Sequence, residues 1–186
     1  MGSVGFKEWA VVCDALGRGE QSVIVRKGGI AEGRAGFSFR EREFFLFPTF
    51  FHEQLEKTRL VDAVVPKQTE GEIAIQYFVQ IERTRMVTLW AGALALESFH
   101  VLREEVIRDR FDYDDAPGLH VAFARVFRLE PAWIIADSKA YGGCRSWVSL
   151  PDAERSLIKV PACSDAEHQR RLQEFDEATS AASAAA

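Results

Sequence analysis

The chain has no long apolar run. A membrane-spanning helix needs roughly 20 consecutive apolar residues, and the most hydrophobic stretch is cut by Gln80, Glu82 and Arg83. No bilayer-spanning helix is expected. Cysteine is scarce, with Cys13, Cys144 and Cys163 widely separated and odd in number, which suits reduced thiols better than a disulfide framework. There is no Cys-x-x-Cys and no His-x-x-x-His pair, so structural zinc is not expected, nor is any other metal or cofactor. The opening MGSVGFKEWAVV lacks a basic leader followed by an apolar run and a small-residue cleavage site. A cytoplasmic address is the expectation.

A large excess of either charge is also missing. Lys+Arg 23 against Asp+Glu 28 gives a net charge of −5. From Ser164 onward five acids (Asp165, Glu167, Glu174, Asp176, Glu177) face two bases (Arg170, Arg171), leaving the rest nearly neutral. Such a body does not coat duplex DNA by general electrostatics, although a local basic patch can still form. With 47% hydrophobic and 27% charged residues in 186, the composition is that of one globular domain able to bury a core. We expect residues 1–163 to form a single α+β domain and 164–186 a C-terminal helix with a frayed Ala/Ser-rich tail.

Phe6, Trp9, Ala10, Cys13 and Leu16 recur at helical spacing before Gly17, which predicts an amphipathic helix over 5–16. Ser22 to Lys27 is β-branched and predicts a short buried strand ending at Gly28-Gly29. The aromatic stretch predicts a strand over 44–47, turning at Pro48-Thr49, and 52–59 can form a short helix. Ile73, Ile75, Tyr77, Val79 and Ile81 alternate with period two, as do Leu119 to Leu129, so both segments read as long strands, the second stopped by Pro131. Residues 89–97 and 102–111 read as short helices, 133–136 and 147–150 as strands. Ser164-Asp165-Ala166-Glu167 forms a capping box that starts a helix to about Ala178. The expected class is α+β, built on a curved mixed or antiparallel sheet with N-terminal, central and C-terminal helical segments.

The runs KEWAVVCDAL, GEQSVIVRKGGI, FFLFPTFFHEQ, HVAFARVFRLEP and YGGCRSWVSL resemble the bacterial family catalogued as domain of unknown function 1802, over about residues 6–150. Relative to that pattern, Glu53 intervenes between His52 and Gln54. The resemblance implies a family and no activity. A further architectural similarity, carried by the helix, the Gly-Glu-Gln turn, the strand ending in Arg-Lys and the later aromatic strands, is to small β-barrel domains of the PUA/ASCH type. That similarity implies a cleft where aromatic rings stack bases and cations meet phosphates of RNA.

Three segments carry candidate chemistry. Arg26 and Lys27 with Gly28 and Gly29 can cradle an anion, since glycine lets backbone amides approach closely; a turn with solvated charges is the plainer alternative. Thr49, His52, Glu53 and Gln54 place an imidazole, a carboxylate and an amide beyond the aromatic strand, or else start a capped helix. Tyr141, Gly142, Arg145 and Trp147 combine loop glycines, stacking surfaces and a cation. Arg125, among apolar neighbours, either snorkels at a strand edge or points into a polar cleft. Cys144 is better read as a buried structural cysteine than as a nucleophile, and the acid spacing of a metal-dependent nuclease is missing. The charged run Arg103 to Arg110 reads as a solvated helix face.

The favoured reading is a binding module for a nucleotide or single-stranded nucleic acid, with Arg26 and Lys27 on phosphate, His52 and Gln54 on polar edges, and Tyr141 and Trp147 stacking. An enzyme acting on such ligands, with His52 or Glu53 as general base, is the first alternative, and a structural or protein-interaction domain the second. The favoured reading requires Arg26, His52 and Tyr141 to line one concavity.

Overall fold

A computed structural model describes residues 2–27, 37–61, 63–64, 66–153 and 156–184. Its centre is a seven-stranded sheet: β1 (Ser3–Trp9), β2 (Val23–Arg26), β3 (Glu43–Thr49), β4 (Glu72–Val87), β5 (Leu119–Ala136), β6 (Trp147–Leu150) and β7 (Ile158–Pro161). Helices α1 (Ala10–Gly17), α2 (Trp90–Leu94), α3 (Glu104–Phe111) and α4 (Asp165–Ala184) surround it. The α+β expectation holds. The sheet order is β2-β5-β4-β3-β1-β6, with β7 added alongside β5. Pairing is antiparallel except between β1 and β3, which run parallel from Gly5 opposite Phe45 to Trp9 opposite Thr49.

The predicted first helix is half strand. Residues 3–9 pair with β3 on one side and β6 on the other, and only from Ala10 does the chain coil. Tertiary pairing overrides the local helical period here. Gly5 permits the approach of β6, since a Cβ at that position would meet Val148 Cγ2 at 2.8 Å. The predicted turn at Pro48-Thr49 is the last part of β3, and the predicted helix over 52–59 is a series of turns. Pro131 does not stop β5, which runs on to Ala136.

At 16 and 18 residues, β4 and β5 exceed the usual strand of 5–6, and register shifts at Ile75/Tyr77 and Ile81/Arg83 break their ladder. Such irregularities bend a strand and change which face its side chains occupy. Ile73 and Ile75 accordingly pack with Phe45, Phe47, Phe78 and Trp133 in one core, whereas Tyr77, Val79 and Ile81 pack with Phe6, Phe44, Leu46 and Phe123 in another. Strand β3 serves both cores at once, which explains its continuous aromatic run.

Ser164 Oγ accepts the Glu167 amide at 3.2 Å, as a capping residue should, and α4 extends past the predicted end through Ala184. The helix buries Leu172 and Phe175, the latter against Phe123 with ring centroids 5.2 Å apart. Around those contacts lie His168 to Glu82 at 2.9 Å, Asp176 to Arg83 and Arg85 at 3.4 and 3.1 Å, and Arg171 to Ser22 Oγ at 3.0 Å. Among the described residues, no helix is long and apolar enough to cross a membrane.

Two positions in this framework yield measurable consequences. A Cβ on Gly17 would lie 1.9 Å from Tyr77 Cε1, whose ring is held by its hydroxyl donating to Asp14 Oδ1 at 3.0 Å. Gly17→Ala should therefore cost about 3 kcal/mol in urea unfolding, and less than about 1 kcal/mol in a Tyr77→Ala background where the ring is gone. His100 is buried with Nδ1 unpartnered. Burial, reinforced by Arg59 and Arg110, pushes its pKa down from 6.5 to about 4. Between those values the unfolded chain carries a proton that the folded one does not, so stability falls as pH drops from about 6.5 towards 4. The loss should approach about 3 kcal/mol, and it should be missing from the pH profile of His100→Leu, so that the difference between the wild-type and variant profiles isolates it.

Candidate functional site

Where the parallel strands β1 and β3 end, the chain leaves Trp9 for α1 and Thr49 for the following turns. Immediately before that exit sits Glu8, only 2% exposed. Its carboxylate meets Arg26 Nη1 at 2.9 Å and accepts the Trp9 amide at 2.8 Å. The Glu8 carbonyl accepts the Thr49 hydroxyl at 3.1 Å. Arg26 also donates to the carbonyls of Lys7 and Val25 and lies over the Phe6 ring at 4.8 Å. A planar fork with several donors can satisfy a buried carboxylate and a strand carbonyl together, which an ammonium could not do in the same geometry.

Arg110 approaches from α3. It donates to the Val25 carbonyl at 2.9 Å and stands 4.9 Å from the Trp9 ring centroid. Desolvation, then the nearby Arg26, pull its pKa down to about 10, with Glu8 opposing them, so it remains cationic at neutral pH. Lys7 gives its ammonium to the Gly143 carbonyl at 2.8 Å. Desolvation first and Arg145 second lower its pKa, while Cys144 opposes. Lys57 and the exposed Arg145 enter no ion pair among the described residues.

These groups surround an open cleft of about 500 Å³, lined by six cations (Lys7, Arg26, Lys27, Lys57, Arg110, Arg145) against the carboxylates of Glu8 and Asp109, with Trp9 and Tyr113 on its walls. A second groove of about 590 Å³ adjoins it, sharing Lys7 and Thr49, and is lined by Phe47, Phe50, Tyr141, Asp137 and Lys139. Among the described residues no group of three or more His, Cys, Asp and Glu is placed to hold a metal ion.

The sequence candidates separate. Arg26, Lys27, Thr49 and Arg145 line the first cleft, and Tyr141 and Gly142 line the second groove with Thr49. Arg26 is consumed by Glu8 and backbone carbonyls. Lys27 is likewise occupied, donating to the carbonyls of Phe111 and Ala116 and pairing with Asp114 at 3.0 Å, so it ties the end of α3 to β2. Gln54 is fully buried: Oε1 accepts the Val11 amide at 3.2 Å and Nε2 donates to the Thr49 carbonyl at 3.0 Å, so both ends of its amide are used inside the fold. His52 and Glu53 are exposed in the turns at 52–57 and line neither cleft. Trp147 packs on Phe6 and Phe44 at 4.8 and 5.2 Å in the core. Arg125 is buried towards α4, paired with Asp165. Gly28 and Gly29 lie outside the described residues. Arg26, His52 and Tyr141 therefore do not share one concavity.

Glu8, Lys7, Trp9 and Arg110 were not singled out by the sequence. Read with period two, Val4, Phe6 and Glu8 form one face of β1, a signal masked by the helical spacing of Phe6, Trp9, Ala10 and Cys13. Arg110 sits within a mixed-charge run whose other members are mostly exposed, and nothing local distinguishes it.

A curled α+β sheet with a cation-rich cleft at the end of its parallel strands defines the class. The chain belongs to the family described as Domain of unknown function (DUF1802), whose model matches residues 5–174. No curated protein matches it. Similar solved structures include a serine-to-alanine mutant of ASCH from Zymomonas mobilis (12% identity, 92% of this chain and 95% of that one, TM-score 0.47). They also include ASCH from Zymomonas mobilis itself (12% identity, 92% and 94%, TM-score 0.45). At such identity nothing about ligand or chemistry transfers to this chain.

Removing one partner of the Glu8 and Arg26 pair leaves a desolvated charge behind. Arg26→Ala should cost about 3–5 kcal/mol in chemical unfolding. Arg26→Met combined with Glu8→Gln should recover most of that loss, a non-additivity that a double-mutant cycle reads directly.

Proposed function

We propose that the cleft binds the phosphate groups of a nucleotide or of single-stranded nucleic acid. The observation that carries this reading is the convergence of Lys7, Lys57, Arg110 and Arg145, none of them in an ion pair among the described residues, on one concavity of a chain whose net charge is −5. Cations gathered in a low-dielectric recess focus potential far beyond what the overall charge suggests. Glu8 and Asp114 balance Arg26 and Lys27, so the recruiting charge belongs to the other four. The flanking Trp9 and Tyr113 add aromatic surface of the kind that accompanies phosphate contacts in single-strand binders.

Binding of a fluorescent single-stranded RNA or DNA 12-mer, measured at about 50 and about 200 mM salt, should weaken with a log–log slope of about −2 to −3 if three or four cations meet phosphates. Lys57→Ala and Arg145→Ala should each reduce the magnitude of that slope by about 0.7. Lys27→Ala should leave it unchanged while lowering stability. No binding at the lower salt, or a slope unaffected by Lys57→Ala with Arg145→Ala, would remove this reading.

A further inference from the structure

We infer that the ligand is a linked chain of at least two nucleotides rather than a mononucleotide, with the 5′ nucleotide held by its phosphate in the cationic cleft and the base of the next nucleotide in the neighbouring groove. This rests on the phosphate-binding reading above. The two recesses adjoin, because Lys7 and Thr49 line both. They differ in chemistry in a way that matches the alternation of a nucleic-acid strand. The first has six cations against two carboxylates. The second is lined by Lys7, Lys139 and Asp137 together with Phe50, Tyr141 and Pro48, and the buried Phe47 and Ile73 form its base.

Tyr141 is the residue best suited to receive a base. It is partly exposed at the end of a short helical turn, and its ring is braced by Phe47 with centroids 5.3 Å apart. A braced ring loses little freedom when a heterocycle stacks on it, so the contact adds affinity efficiently. Lys7, which lines both recesses and donates its ammonium to the Gly143 carbonyl at 2.8 Å, would meet the linking phosphodiester. At about 500 and 590 Å³, each recess falls within the range that holds one drug-sized ligand. A mononucleotide would leave one of them unused.

The test compares a 5′-phosphorylated mononucleotide, dinucleotide and trinucleotide of the same base, by direct titration at low salt. The dinucleotide should bind about 10-fold tighter than the mononucleotide, and the third unit should add less. Tyr141→Ala should remove that gain without changing mononucleotide affinity, and Tyr141→Phe should keep it. Occupation of the first cleft is read independently at Cys144, an exposed thiol on its wall. In a Cys163→Ala background, its modification by a thiol reagent should slow with the mononucleotide and dinucleotide alike, in wild-type and Tyr141→Ala protein. Equal affinity for one and two units, or a gain that survives Tyr141→Ala, overturns the two-recess proposal and leaves phosphate binding standing. Failure of all three ligands to bind or to protect Cys144 overturns both.

Discussion

The buried contact between Glu8 and Arg26 is the constraint on which the site depends. In the sheet order, β2 and β1 are separated by three intervening strands, yet the guanidinium of one reaches the carboxylate and a carbonyl of the other. The curl of the sheet brings them together, and the ion pair sets their separation. The Glu8 carbonyl takes the Thr49 hydroxyl, so three strand ends converge on a few polar atoms. Gln54 adds a neutral brace between α1 and the end of β3. Desolvating two charges gains little net stability over an apolar filling. What the pair supplies is position, by fixing the wall against which Arg110 and Trp9 are placed.

Cations in this region divide by what holds them. Arg26 and Lys27 are saturated by carboxylates and backbone carbonyls and act within the fold. Among the described residues Lys57 and Arg145 are held by no such partners, and Arg110 and Lys7 contact one carbonyl each. The distinction could not be drawn from residue type, because an arginine and a lysine adjacent in sequence at a strand end suggest exposure. Burial of β2 turned both inwards.

Much of the framework was legible. The period-two alternations of β4 and β5, the short strand at β2 and the capped start of α4 all follow from local pattern, and the resemblance to the family holds. The helical spacing of Phe6 to Leu16 was real but true of only its second half, because pairing with β3 and β6 decides the conformation of residues 3–9. Likewise the unbroken alternation from Ile73 to Ile81 conceals a change of side near Gln76, where the ladder slips. Chemistry was harder to read than fold. Gln54 and Trp147 look like binding residues in a sequence, but burial gave one to a backbone clamp and the other to an aromatic core. Glu8 falls inside the helix predicted over 5–16 and carries no local signal, and only long-range packing makes it the centre of the candidate site.

The second groove has a floor built from Phe47 and Ile73, which are also members of a hydrophobic core. Under the proposed reading, base recognition and folding draw on the same side chains at that spot. A substitution at Phe47 or Ile73 would disturb the core packed on that face of β3. Deliberate redesign would proceed from the exposed rim, at Lys139 and the loop carrying Arg145, since Tyr141 itself packs on Phe47 and the core.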